Sequence, residues 1–213
     1  MTLTGRSKAV VICDPKLMKV FKSLSDSMGL TFTVPESLES LPEEGVLVVD
    51  DECYRLLEGR SLPTGLEIVK LTSDNILAKT LELIGVREVG AVIAGVDLGL
   101  SVNYVIFADN VLLRYGSVRE ASELVKTLME VRDSINPRSV VVKVGVSPAG
   151  LHEAFLTELL NSLRGSGFDL MLIDEHGTSS ECPTSYVGRK TFKNDDMKAC
   201  VNIALREGLR FTT

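Results

Sequence analysis

Three apolar, strand-like runs follow one another between Val89 and Ser117 with only short gaps between them. A parallel pair of strands needs a crossover of a dozen or more residues, and these gaps are too short to supply one. The three runs are therefore predicted to pair as an antiparallel meander. This feature excludes a purely parallel sheet for the whole chain and separates it into a part before the meander and a part that contains and follows it.

The part before the meander alternates apolar runs with amphipathic segments. The runs KAVVICD, GVLVVDDE and LEIVKLTS are typical of buried strands. Asp14, Pro15 and Gly29 stand where an N-cap, a first helical residue and a C-cap would bound a helix, and DNILAKTLELIG has the pattern of a second capped helix. Strands alternating with helices predict a small parallel α/β domain over residues 1–86.

The part from the meander onward, residues 87–213, continues with helices and strands in turn. REASELVKTLMEVRDSI is predicted to be a helix, SVVVKVGV a strand, GLHEAFLTELLNSLRGSG a helix and FDLMLIDE a strand; a polar loop and a last helix from about Asp195 complete it. The order βββαβαβα is that of the ribonuclease H-like fold. The fold class predicted for the chain is therefore α/β, a small parallel unit followed by a ribonuclease H-like domain with a mixed sheet.

Net charge limits how the chain could bind nucleic acid. At −6 the chain has no positive field spread over its surface, so binding would need a local basic patch. The densest basic stretch, GRKTFKNDDMK, offers Arg189, Lys190 and Lys193 as phosphate contacts, with a solvated loop as the alternative. No apolar run approaches the ~20 residues of a membrane span and the first ten residues lack a signal core, so we expect a cytoplasmic protein without a membrane partner.

The cysteines are scattered along the chain. Cys13, Cys53, Cys182 and Cys200 form no C-x-x-C pair, and the chain has only two histidines. This pattern argues against a zinc site and against a disulfide framework. Buried free thiols are the expectation.

Carboxylates stand at three element ends of the predicted second domain. Asp97 closes the first strand, Asp174 and Glu175 end the last strand, and Asp195 and Asp196 open the last helix. In a ribonuclease H-like sheet the first strand is central, so these acids are predicted to converge. Converging carboxylates repel one another unless a cation lies between them, and oxygen ligands without Cys or His favour Mg²⁺ or Mn²⁺. Asp97 could instead cap a turn at Gly99.

Four stretches resemble the motifs of the YqgF-type branch of the RuvC-like nucleases, in the same order: VIAGVDLGLSVNYVIFAD, VVVKVGVSPAG, LMLIDEHGTSS and DDMKACVNIAL. The resemblance covers about Val89 to Leu209. It implies that Asp97, Glu175 and Asp196 are catalytic metal ligands and that Asp174 is a supporting acid. Asp195 is predicted to cap the last helix and is counted with the acids of the metal site.

The chain also departs from the pattern of that family. His176 stands where the family has an arginine, which would make its contact to phosphate weaker or pH-dependent. The predicted fourth strand ends without the acid of the resolvases proper. The resemblance implies a nuclease acting on structured RNA or branched DNA, and leaves monomer and homodimer both open.

Three other functions are alternatives to a metal-dependent nuclease. A catalytically inactive binding or scaffold protein of the same fold would explain the missing acid and arginine. A sugar-kinase or actin-like ATPase would use GVDLG as a phosphate loop, but it needs two such domains, and the chain offers one. LVVDDE resembles a Walker B strand, yet no G-x-x-x-x-G-K-[ST] sequence accompanies it, which argues against a P-loop ATPase.

Overall fold

The computed structural model describes residues 3, 5–99, 101–146, 153–174, 192 and 194–212, with side chains as far as residue 209. The chain divides into two compact units, Met1–Arg87 and Glu88–Thr213. Within the described ranges, no helix combines the length and apolar character needed to cross a bilayer.

The first unit is a three-stranded parallel sheet in the order β1-β2-β3, with helices between and after the strands. Its elements are β1 (Lys8–Val11), α1 (Pro15–Met28), β2 (Glu44–Asp50), α2 (Asp51–Leu57), β3 (Gly65–Leu71) and α3 (Ile76–Leu83). Apolar side chains fill both faces of the sheet. Ala9, Leu47 and Val49 pack with Leu57 of α2, while their neighbours on the strands alternate to the other face. The predicted parallel α/β architecture is confirmed.

Helix α1 has the boundaries that its capping residues predict. The Asp14 carboxylate accepts a hydrogen bond from the Lys16 N–H at 2.8 Å, and Pro15 is the first helical residue. Gly29 ends the helix with φ at 70°, in the left-handed region that glycine enters without steric cost.

The second unit is a six-stranded mixed sheet in the order β6-β5-β4-β7-β8-β9. Its elements are β4 (Ala91–Leu98), β5 (Val102–Ala108), β6 (Val111–Val118), α4 (Ala121–Ile135), β7 (Ser139–Val146), α5 (Glu153–Leu163), β8 (Asp169–Asp174), α6 (Asp195–Leu205) and β9 (Leu209–Thr212). β4, β5 and β6 form the predicted antiparallel meander, and β7 and β8 run parallel to β4. The element order confirms the ribonuclease H-like fold class, with β4 central.

Two elements were not predicted. The stretch after β2 turns at once into the short helix α2, and a last strand, β9, pairs antiparallel with β8. Both are short, seven and four residues, so neither contains enough periods of its hydrophobic pattern to be recognised from sequence.

A disulfide corrects the expectation of free thiols. Cys13 and Cys53 are joined, with their Cα atoms 5.5 Å apart. They are 40 residues apart in sequence, and they meet because β1 and β2 are neighbours in the parallel sheet. Cys200 is a buried free thiol, as predicted, and Cys182 lies outside the described residues.

Candidate functional site

Helix α6 packs directly on the central strand at Gly95. A methyl group at this position would overlap the carbonyl oxygen of Cys200 and would lie 2.8 Å from the Ala204 methyl. The backbone of α6 can approach β4 this closely only because residue 95 has no side chain. Residues two apart on a strand share a face, so Asp97 lies on the same side of the sheet as α6.

The first turn of α6 lies beside the end of β4. Asp97 is paired across the antiparallel ladder with Asn103 of β5, and the Asn103 amide Nδ2 donates to Asp196 Oδ2 at 3.4 Å. Asp196 precedes Cys200 by four residues, about one helical turn, as Asp97 follows Gly95 by two along the strand. The structure therefore brings Asp97 and Asp196 to one place on the α6 face.

Asn103 is fixed from several sides. It is 3% exposed, and its Oδ1 accepts a 2.5 Å hydrogen bond from the Ser117 hydroxyl of β6. Its Nδ2 also donates to the backbone oxygen and the hydroxyl of Ser101, both at 3.1 Å. A buried amide held this way is a positioning group for the Asp196 carboxylate.

The pKa of the Cys200 thiol is shifted by burial and by the negative charges of the two acids. Burial raises the pKa of Cys200, and the negative charges of Asp97 and then Asp196 raise it further. Both carboxylates therefore act electrostatically on the same buried residue of α6. The thiol is therefore held protonated and is a poor nucleophile.

The start of α6 differs from the prediction in one residue. Asn194, and not Asp195, is the N-cap, because its Oδ1 accepts the Asp196 N–H at 2.9 Å. Asp195 is exposed and pairs with Lys198 at 2.8 Å. An amide oxygen caps a helix as well as a carboxylate does, so the sequence did not distinguish the two residues.

The other predicted site residues are less closely defined. Asp174 is exposed at the end of β8, and its backbone oxygen accepts a 3.1 Å hydrogen bond from the Arg206 guanidinium. Met171 is in register with Lys143 and Gly95, so Met171 and Ile173 lie on the α6 face of the sheet and alternation places the Asp174 side chain on the opposite face. The predicted supporting role of Asp174 beside Asp97 therefore does not agree with the register. The remaining predicted contacts lie outside the described residues: Glu175, His176, Arg189, Lys190 and Lys193.

The donor set fits a hard divalent cation in part. Asp97 and Asp196 offer oxygen ligands from two rigid elements, as Mg²⁺ and Mn²⁺ require. Two carboxylates seldom hold such an ion alone, and the third acid in the predicted set is Glu175. Among the described residues, a group of three Cys, His, Asp or Glu side chains within 4.8 Å occurs at Cys13, Asp50 and Cys53, where the two sulfurs are already joined.

Three residues at this place were missed by sequence reasoning. Asn103 and Ser117 are polar residues within apolar strands, a pattern that signals a buried hydrogen-bond pair. Lys143 interrupts the apolar run of β7 in the same way; it is 7% exposed and its ammonium donates to the Arg206 carbonyl at the end of α6. Burial lowers the Lys143 pKa, and Glu207 partly offsets this.

Comparison with known proteins does not identify a family. No protein-family model matches the chain, and no curated protein matches it. Among solved structures, T. thermophilus RuvC in complex with a Holliday junction substrate aligns with a TM-score of 0.39 and 14% identity, over 54% of this chain and 90% of RuvC. Marinitoga piezophila Argonaute in complex with a 5′-OH guide RNA aligns with a TM-score of 0.33 and 9% identity, over 79% of this chain and 39% of Argonaute.

Proposed function

We propose that the protein is a divalent-metal-dependent nuclease of the RuvC/YqgF-like type that hydrolyses phosphodiesters in structured RNA or branched DNA. The observation that supports this most is that Asp97 of β4 lies on the sheet face that α6 covers, and that its ladder partner Asn103 of β5 donates a hydrogen bond to Asp196 in the first turn of α6. The motif resemblance adds Glu175 as the third acid. A cytoplasmic location belongs to this proposal.

Asp97 and Asp196 would hold Mg²⁺ or Mn²⁺, with Glu175 as the third ligand. Asp195 pairs with Lys198, and Asp174 alternates to the other face of the sheet, so neither is proposed as a ligand. A bound ion of this kind supplies Lewis-acid polarisation of the phosphate and an activated water. Asn103 keeps the Asp196 carboxylate turned toward β5, and Ser117 in turn fixes Asn103. The close contact at Gly95 holds the backbone of α6 against β4, the two elements that carry these acids.

Phosphate binding is assigned on sequence grounds to the basic stretch that precedes α6 in the sequence. We propose that Arg189, Lys190 and Lys193 contact the backbone of the nucleic acid and that His176 makes a weaker or pH-dependent contact to phosphate. Because the whole chain is acidic, such a cluster would have to supply most of the electrostatic attraction.

One observation favours a non-catalytic binding protein as the second candidate. The β7 residue in register with Gly95 is Lys143, and β7 ends at Val146, so this strand gives the α6 face an ammonium group and ends without a carboxylate. A site with fewer acids would bind a divalent cation more weakly.

Cleavage assays separate the two candidates. The purified chain is incubated with a labelled RNA stem-loop and with a four-way DNA junction, in Mn²⁺ and in EDTA. We expect metal-dependent cleavage that falls about 100-fold or more in Asp97→Asn and Asp196→Asn. Asp195→Asn is the matched control, because it removes the same charge from the same helical turn, and it should keep activity.

Calorimetry with Mn²⁺ completes the test. Heat of binding that disappears in Asp97→Asn supports the metal site even if the substrates were poorly chosen. No heat and no cleavage would reject the nuclease and favour the binding protein.

A further inference from the structure

The disulfide of the first unit joins two segments at the carboxyl ends of neighbouring parallel strands, the loop after β1 and the start of helix α2. Cys13 lies between β1 and α1, and Cys53 lies in the first turn of α2, which follows β2. Both segments follow strands, β1 and β2, that are hydrogen-bonded to each other. The two sulfur atoms are thus brought together by the sheet itself.

The Asp50 carboxylate holds the loop after β1 and the start of α2 by hydrogen bonds that do not involve the sulfur atoms. This carboxylate is 4% exposed. Its Oδ2 accepts the N–H groups of Cys13 at 3.0 Å and Asp14 at 2.8 Å, and its Oδ1 accepts the Cys53 N–H at 2.9 Å. None of these three bonds involves sulfur, so all three can persist when the disulfide opens. The two thiols would then stay close enough to rejoin.

The same hydrogen bonds argue against a metal site at these residues. Cys13, Asp50 and Cys53 have ligand atoms within 4.8 Å of one another. Both carboxylate oxygens of Asp50, however, are already acceptors for backbone N–H groups. Binding a cation through Asp50 would compete with those bonds, whereas redox chemistry of the two sulfurs leaves them in place.

The two sulfur-bearing residues differ in accessibility. Cys53 is 3% exposed, and Cys13 is partly exposed at the start of α1. An external thiolate would therefore reach Cys13 more readily than Cys53.

We propose that Cys13 and Cys53 form a redox-active thiol–disulfide exchange site, with a dithiol as its reaction partner. The dithiol's thiolate attacks Cys13 Sγ, a bond forms between these sulfurs, and the Cys13–Cys53 bond breaks with its electron pair leaving on Cys53 Sγ, which takes up a proton. The second thiolate of the partner then attacks the partner's first sulfur, which is bonded to Cys13 in the mixed disulfide. Cys13 leaves as a thiolate and takes up a proton. The partner is oxidised to a disulfide, and the protein gains two electrons and two protons.

This activity goes beyond the proposed nuclease function and depends on none of its residues. The three groups that support it, Cys13, Asp50 and Cys53, all belong to the first unit. A negative nuclease assay would therefore not count against the redox proposal, and a negative redox experiment would not count against the nuclease.

The first experiment measures redox state residue by residue. The native full chain is equilibrated in mixtures of reduced and oxidised dithiothreitol, alkylated with iodoacetamide, and analysed by peptide mass mapping. We expect the Cys13 and Cys53 peptides to become alkylated together, at the same dithiothreitol ratio, while circular dichroism shows that the chain stays folded. Cys200 is the internal control: it is buried and held protonated, so it should remain unmodified.

The second experiment tests which sulfur is attacked. With oxidised glutathione as probe, Cys53→Ser should form a mixed disulfide at Cys13, and Cys13→Ser should react at Cys53 at least about tenfold more slowly because that thiol is enclosed. Because each modified cysteine is identified by its own peptide, a reaction of glutathione with Cys182 is distinguished from a reaction with Cys13 or Cys53.

The third experiment tests the anchoring carboxylate. Asp50→Asn replaces one acceptor oxygen with a donor, and we expect reoxidation of the reduced chain by oxidised dithiothreitol to slow by about tenfold. Asp51→Asn is the matched control, since Asp51 is exposed and adjacent, and its rate should not change. Three results would overturn the proposal: reduction only after unfolding, equal reactivity of Cys13 and Cys53 in the single-cysteine variants, or alkylation of one of the two cysteines at a dithiothreitol ratio at which the other is not alkylated.

Discussion

Asp50 and Asp97 occupy equivalent positions in the two units and have different surroundings. Each follows an apolar run on an inner strand of its sheet, β2 or β4. Asp50 is 4% exposed and accepts three backbone N–H groups. Asp97 is partly exposed and lies on the face where Asn103 and Asp196 meet. The difference teaches that an acid at a strand end gains its role from what covers it: amide donors make it a structural acceptor, and a second carboxylate makes it a candidate ligand.

The largest effect should come from removing Asp50. Asp50→Ala leaves three N–H groups in or near the interior without their acceptor, which we expect to lower the free energy of unfolding by about 3 kcal/mol. Urea denaturation of the oxidised chain measures it. Asp51→Ala should change stability by less than about 0.5 kcal/mol, because Asp51 is exposed. A small loss in Asp50→Ala would mean that water satisfies the three donors.

A smaller effect should follow from filling the space at Gly95. Gly95→Ala forces α6 away from β4, and we expect a loss of about 2 kcal/mol. Gly99→Ala is the control on the same stretch, since a methyl group there would meet only ordinary contacts of 3.7 Å. If the units unfold separately, this variant and Asp50→Ala should shift different transitions. Equal stability of the two glycine variants would contradict the close packing on which the Asp97 site depends.

The smallest effect tests the electrostatics of Asp97. Without metal, repulsion between Asp97 and Asp196 is expected to destabilise the fold, so Asp97→Asn should have a slightly higher melting temperature than the wild type in EDTA. The gain in free energy of unfolding should be only about 0.5 kcal/mol, because Asp196 is exposed and solvent screens the pair. In Mg²⁺ the difference in melting temperature should become smaller or change sign, since a bound cation stabilises only the intact site.

Melting curves of the two proteins in the two buffers decide the matter. Asp195→Asn serves as the control, because that residue pairs with Lys198 and gains nothing from neutralisation. A lower melting temperature for Asp97→Asn in EDTA would point to a carboxylate that caps its own turn, and would make the two strand-end acids alike.

Local signals in the sequence predicted most of the fold. Asp14, Pro15 and Gly29 fixed both ends of α1 because each acts within one helical turn. The short gaps after β4 and β5 left an antiparallel meander as the remaining arrangement.

The parts that were missed depend on distant partners. The Cys13–Cys53 bond follows from the pairing of β1 with β2, which no spacing rule between the two cysteines encodes. Asn103 matters because of Asp196, which is 93 residues away. Its role becomes visible only when α6 is placed on the sheet.

The last strand has a consequence for solubility. β9 covers the outer edge of β8 with four residues of antiparallel ladder. Without it, β8 would present a row of unpaired N–H and C=O groups, which is a template for a strand from another molecule. β9 is itself the outer strand, but with four residues it leaves a shorter exposed edge than the six residues of β8 would. A chain shortened at Gly208 would therefore be expected to self-associate more readily, through β8.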